Sequence, residues 1–199
     1  MTHLFAIAIP LAAFLIGSIP FGYLLVRAKT GGDIRARGSG NIGATNVLRT
    51  SGAKLGLLTL ALDAGKGLLA MELALRFAAG SANGVAAALL LVVLGHLYTP
   101  WLRFRGGKGV ATALGALLRL APLPMLVALA LFVVVLALSR YVSLASIVAS
   151  AAVPLVLAGR IRLPIEVAAL AVAVLVIARH SANWTRIRSG TESRLGARS

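Results

Sequence analysis

The chain has 199 residues, 59% of them apolar before its 21 glycines are counted, whereas a soluble domain holds about 45–50% apolar residues with glycine included. Mean hydropathy is +0.95 and charged residues make up only 13%, so the composition argues against a soluble globular domain. With no cysteine, disulfides, a thiolate nucleophile and a cysteine-ligated zinc or iron–sulfur site are excluded, and the net charge of +15 must be read by its position along the chain.

Apolar runs able to cross a bilayer, which takes about 20 residues, recur from one end to the other. The first covers 3–26. Its leading end carries only His3, while Arg27 and Lys29 follow it. That polarity is opposite to a secretory signal and predicts a retained span with the N-terminus outside. A basic loop over 27–54 holds Arg27, Lys29, Arg35, Arg37, Arg49 and Lys54, and spans over 55–79 and 85–103 come next. After Arg103, Arg105 and Lys108, helices are predicted over 109–121 and 123–139, parted by Pro122 and Pro124. A single helix there would be about 46 Å long against a hydrocarbon core of about 30 Å. The last spans cover 144–159 and 164–180, followed by a basic tail over 180–199.

Seven crossings place fifteen of the twenty Lys and Arg residues on the cytoplasmic side. Only Arg76, Arg119, Arg160 and Arg162 fall outside, and Lys66 lies within a span. Six crossings would put the basic tail outside, against the positive-inside rule. The expectation is therefore one membrane domain over 1–199, an all-α seven-transmembrane-helix bundle with the N-terminus outside and the C-terminus cytoplasmic. In a soluble protein this charge would suggest nucleic acid; distributed between apolar runs it predicts a membrane lipid environment and no nucleic-acid partner.

Three polar clusters share the cytoplasmic side. The first is Gly38-Ser39-Gly40-Asn41-Ile42-Gly43-Ala44-Thr45-Asn46 with Arg49. Its glycines satisfy G-x-G-x-x-G, but a membrane span and not a strand precedes it, which argues against a dinucleotide fold. Glycines that let N–H groups converge, beside Ser, Asn, Thr and Arg, suit an anion cradle better than a plain turn. The second cluster is Phe104-Arg105-Gly106-Gly107-Lys108-Gly109. Position 109 is Gly where a Walker A loop needs Ser or Thr. Gly106 and Gly107 are expected to offer bare N–H groups to a phosphate at a helix N-terminus, with Lys108 as a point charge, the alternative being a basic loop against anionic lipid. The third is His180 with Asn183 on one helical face, then Gly190-Thr191-Glu192; Glu192 reads equally as a loop ion pair. Within the spans, Asp63 and Lys66 stand three residues apart and are expected to pair and brace the site, ahead of a proton-relay role. His96 reads as a satisfied buried histidine.

Taken together, these residues resemble the bacterial acyl-phosphate:glycerol-3-phosphate acyltransferases, the PlsY type, over nearly the whole chain. The resemblance rests on Gly38 to Asn46 with Arg49, Asp63-Ala-Gly-Lys-Gly67, Gly95-His96 leading to Phe104 to Thr112, Ser139 to Ile147, and the His180, Asn183 and Gly190-Thr-Glu192 tail. It implies an enzyme of the bacterial inner membrane making lysophosphatidic acid from acyl phosphate and glycerol 3-phosphate, with its site on the cytoplasmic side and no cofactor or metal. Carried over, it implies catalytic roles for Ser39, Arg49, Lys108, His180 and Asn183. Substrate contacts fall to Gly40, Asn41, Gly43, Thr45, Asn46, Gly106 and Gly107, and support to Asp63, Lys66, His96 and Glu192.

The residues suit that chemistry. Fixed N–H groups with Arg49 and Lys108 neutralise two phosphate groups, and an acyl phosphate is an activated mixed anhydride, so positioning suffices without a covalent intermediate. There is no G-x-S-x-G elbow, and no His-x4-Asp pair, since Trp101 follows His96 and Thr185 follows His180 at that spacing. His180 and the donor phosphate are the two candidate bases. A transporter would need repeat symmetry or paired broken helices, neither of which is evident. A lipid-binding scaffold would not need the clustered Ser, Asn, Thr and Gly.

Overall fold

The computed structural model describes residues 2–78 and 80–196, with side chains from Ile7 onward. Residue 79, at the end of the second expected span, and Arg198 of the basic tail lie outside the described residues. The described chain is helical, with ten α-helices: α1 (Thr2–Ser18), α2 (Phe21–Thr30), α3 (Ala44–Ser51), α4 (Ala53–Phe77), α5 (Ala82–Leu97), α6 (Val110–Leu120), α7 (Pro122–Ser139), α8 (Val142–Leu157), α9 (Leu163–Ala178) and α10 (Ser181–Arg188). By length and composition, 7–30, 82–102 and 122–139 can each cross a bilayer, with 163–188 a fourth candidate bent by 48° between α9 and α10. Helices α6 and α8 are shorter apolar segments.

The apolar run expected as one helix over 3–26 is interrupted at Ile19–Pro20, and α2 continues to Thr30. Proline lacks the donor and its ring pushes the preceding residue out of the helical region. The carbonyls released at this break are taken by neighbours. Thr99 donates to Ser18 O at 2.6 Å, and Lys66 Nζ donates to Ile19 O at 2.8 Å. The predicted division near Pro122 is present: Ala121 separates α6 from α7, and Pro122 occupies the first turn, where its missing N–H costs nothing.

Two tight helix pairs organise the bundle. Helix α1 packs on α5, and α4 on α6. A Cβ on Gly67 would press on the Thr112 carbonyl, and one on Gly115 on the Ala64 carbonyl, so α4 and α6 approach backbone to backbone through small residues. Helix α7 packs on α8, which with α5 leans on α9. Because α7 meets α6 only weakly, a cleft runs between the α4–α6 pair and the α7–α8 pair.

Candidate active site

That cleft forms a cavity of about 380 Å³ with two unlike ends. Ser39, Asn41, Thr45, Arg49, Lys108, His180, Asn183 and Glu192 line the polar end; Leu114, Leu117, Met125, Phe132 and Val153 are among the residues of the apolar limb. Loops far apart in sequence therefore meet at one end of the bundle.

The loop 38–46 is organised by Asn46, which is 2% exposed. Its Oδ1 accepts from Ser39 N at 2.9 Å, while Nδ2 donates to Asn41 O at 2.8 Å and Arg37 O at 3.0 Å. Gly38 has φ +56°, and a side chain there would also strike Asn46. Asn46 thus holds the loop's shape and takes up the Ser39 N–H. Asn41 Oδ1 accepts from Gly43 N at 2.7 Å, just ahead of α3. Gly43 lines the cavity; Gly40 does not.

Gly106 and Gly107 also lie off the cavity wall, and here the structure corrects the expectation of bare N–H groups. Gly106 N donates to Leu97 O at 3.1 Å and Gly107 N to His96 O at 3.0 Å, closing the carbonyl end of α5. A Cβ on Gly106 would collide with the His96 carbonyl, and one on Gly107 with the His96 ring. Gly109, Val110 and Ala111 line the wall instead, and the first turn of α6 that begins there carries N–H groups without intrahelical partners.

Lys108 donates to Asn183 Oδ1. Asn183 Nδ2 donates to Glu192 Oε1 at 2.7 Å, Ser143 Oγ donates to the same oxygen at 2.8 Å, and Arg186 Nε donates to Oε2 at 2.7 Å. Burial pushes the Glu192 carboxyl up, but hydrogen bonds from Asn183, Ser143 and Arg186 outweigh it and hold it below the ordinary range. Burial lowers Lys108 to about 8, with nearby arginines adding to the shift and Glu192 opposing it. His180, beyond the end of α9, is lowered to about 4, first by burial and then by Lys108. Its Nδ1 lies 2.7 Å from the Val176 carbonyl, which only accepts, so Nδ1 carries the proton and Nε2 keeps its lone pair.

Deeper in the bundle, Lys66 Nζ stands 2.7 Å from Asp63 Oδ1 and 2.9 Å from His96 Nδ1. The pair is buried and ties α4 to α5 and to the α1–α2 break, while Asp63 and His96 also line the cavity. Among the described residues no group of three His, Asp or Glu side chains is arranged to hold a metal ion.

The model of the family described as glycerol-3-phosphate acyltransferase matches residues 7–190. The chain belongs to that family. It is 52% identical over 187 residues to a glycerol-3-phosphate acyltransferase of Geobacter sulfurreducens, covering 93% of this chain and 95% of the relative. One of Geotalea daltonii is 50% identical over 189 residues, covering 94% and 96%. The fold matches the crystal structure of PlsY (YgiH), an integral membrane glycerol 3-phosphate acyltransferase, in its glycerol 3-phosphate form. The TM-score is 0.91 at 38% identity over 96% of each chain. The same protein's lysophosphatidic acid form gives 0.88 at 37% identity, over 96% of this chain and 95% of that one.

Within this family member two features of the site escaped the sequence reading. Ser143 and Leu195 both line the cavity. The tail is strapped over the polar end by Arg49 Nη2, which donates to Ser193 O at 3.0 Å, and by Leu195 N, which donates to Arg140 O at 2.7 Å. The motif around Ser143 was visible in the sequence, but no pattern tied it to Glu192, 49 residues away.

Proposed function

We propose that this protein transfers a fatty acyl group from an acyl phosphate to the sn-1 hydroxyl of glycerol 3-phosphate, releasing lysophosphatidic acid and phosphate without a covalent acyl-enzyme. The observation that carries the reading is the single cavity joining a cationic polar end to an apolar limb. A soluble phosphate acceptor and a fatty acyl donor need those two environments side by side.

Lys108 and the first-turn N–H groups of α6 hold the acceptor phosphate, with Asn183 and His180 beside the glycerol. Arg49, Ser39 and Asn41 face the donor phosphate, and the acyl chain lies in the limb. The acceptor oxygen attacks the acyl carbon, the bond from that carbon to the phosphate oxygen breaks, and the leaving phosphate receives the hydroxyl proton. Burial lowers His180 to about 4 and makes it a weak base, so in this reading the phosphate that leaves takes the proton and His180 orients the acceptor. Arg49 and Lys108 stabilise charge as the acyl–oxygen bond breaks.

The active site faces the cytoplasm of a bacterial inner membrane, in a single membrane domain with seven crossings, the N-terminus outside and the C-terminus inside. Two opposed groupings support this topology. Arg49, Lys108 and the tail gather at the cavity, where Arg186 pairs with Glu192, while Arg119 meets Glu72 at 2.6 Å near the far ends of α6 and α4, and Arg162 reaches Gly80 O at 2.7 Å. Acyl phosphate and acyl-CoA of one chain length, supplied in turn to purified protein with glycerol 3-phosphate, test the donor. Turnover with acyl phosphate alone is expected, and trapping after donor addition should leave the protein unlabelled. Equal rates with acyl-CoA, or stoichiometric acylation of Ser39, reject the mechanism.

A further inference from the structure

The apolar limb has a blind end whose position follows from chain connectivity. Helices α6 and α7 flank the cleft, yet they are joined through Ala121 alone, so the cleft must close where they meet. Leu117 on α6, Met125 on α7 and Val153 on α8 line that closed end and are 1%, 3% and 7% exposed. Above them the walls carry small side chains, Ala113, Ala128 and Ala149, which leave a bore between the helices.

The exposed part of the lining lies elsewhere. Leu57 and Leu60 are 60% and 43% exposed, and Gly56 beside them packs on Leu48 of α3, the helix that carries Arg49. The opening to lipid is therefore beside the polar end, away from Leu117. From Leu136 near the mouth to Met125 at the floor, α7 rises about 16 Å. A staggered alkyl chain advances about 1.3 Å per methylene, so this depth takes about twelve. Beside the bore, Leu117 and Val153, with Ala113 and Ser150, also line a second void of about 20 Å³ against Val172 and Ala173 of α9. They form a partition with space on both sides.

We propose that Leu117, Met125 and Val153 set the longest acyl chain this enzyme accepts efficiently. The inference deepens the donor reading above and rests on it only for the location of the acyl chain. A chain within the limit buries every added methylene, each worth about fourfold in binding. One that exceeds it must bend back towards lipid.

The test measures two profiles on purified protein in lipid nanodiscs. The first is turnover with acyl phosphates of about twelve to about twenty carbons, and the second is affinity for lysophosphatidic acids of the same lengths, which does not depend on the donor's identity. Leu117→Ala and Met125→Ala should each move both cut-offs two to four carbons longer, with about a tenfold relative gain for a chain two carbons past the wild-type limit. Ala149→Leu, which projects into the bore from a half-buried wall position, should shorten both, and thermal unfolding confirms that each variant is folded. If acyl phosphates are not turned over but the lysophosphatidic acid cut-off shifts as stated, the donor reading fails and the floor stands. Affinity profiles unchanged in all three folded variants overturn the proposal.

Discussion

Asn183 presents its oxygen to Lys108 because its nitrogen is committed to Glu192. The amide has two chemically distinct ends, and the 2.7 Å bond from Nδ2 to Glu192 Oε1 fixes which one faces the ammonium. Glu192, itself clear of Lys108, thereby sets the orientation of the site's main cation partner. Replacing Glu192 with Ala should leave Asn183 and Ser143 without their acceptor, at about 1–3 kcal/mol for each buried group so stranded. A lowered melting temperature together with a raised KM for glycerol 3-phosphate is the expected result; a normal melting temperature and KM would show the tail to be ornamental.

The same carboxylate gives the tail an acid limit. Its folded pKa lies below the unfolded value of about 4.3, so its contribution to stability is complete above that value and disappears as pH falls through the folded pKa. Glu192→Gln, which cannot ionise, should be less stable at neutral pH and should lose less on acidification. Thermal unfolding scanned from pH 7 to about pH 3 distinguishes the two curves.

Lys108→Met should reduce kcat/KM for glycerol 3-phosphate by about 10- to 150-fold, the worth of one charge-assisted hydrogen bond of about 1.5–3 kcal/mol. Wild-type kcat/KM should also decline as pH rises through about 8, because Lys108 is protonated below that value and neutral above it. The phosphate substrate, with its second pKa of about 6, does not titrate there. Lys108→Arg keeps its charge and should flatten the alkaline limb. Lys66→Met should instead lower the folded yield, since Lys66 closes the carbonyl at the α1–α2 break and pairs with buried Asp63. Unaltered kinetics in a folded Lys108→Met sample would make the loop a lipid contact.

Single cysteines report sidedness without background, because the chain has none of its own. Ser51→Cys and Ser193→Cys should label from the cytoplasmic face. Ser81 accepts from Gly84 N at 3.1 Å and caps α5, so the outer probe is better placed at exposed Asn83 as Asn83→Cys. Labelling of 51 and 193 from opposite faces contradicts the seven-crossing topology.

Gly115→Val should abolish folding, since any side chain there meets the Ala64 carbonyl across the α4–α6 contact. Gly65→Ala, two residues before Gly67 on the same helix, faces open space and should be neutral or stabilising through helix propensity. Yield of folded protein after detergent extraction compares them directly.

The membrane character, most of the long apolar helices and the residues of the polar clusters were legible in the sequence because hydrocarbon penalises every polar group, whereas α3, inside the expected loop over 27–54, was not. An apolar run marks each crossing, and Ser39, Arg49, Lys108, His180 and Asn183 stand out against such a background. Pro122 likewise marked where a helix stops, whereas the break at Pro20 fell inside a run read as one helix, and only the folded chain showed that Lys66 and Thr99 take the carbonyls freed there. Tertiary structure alone decided that the Gly106 and Gly107 N–H groups belong to the end of α5, that Glu192 orients Asn183, and that Leu117, Met125 and Val153 line the end of a cleft. The physical reason is that a helix face turned to lipid, to another helix or to a substrate chain is apolar in all three cases. Hydrophobic periodicity separates these faces in water and loses that power in a bilayer.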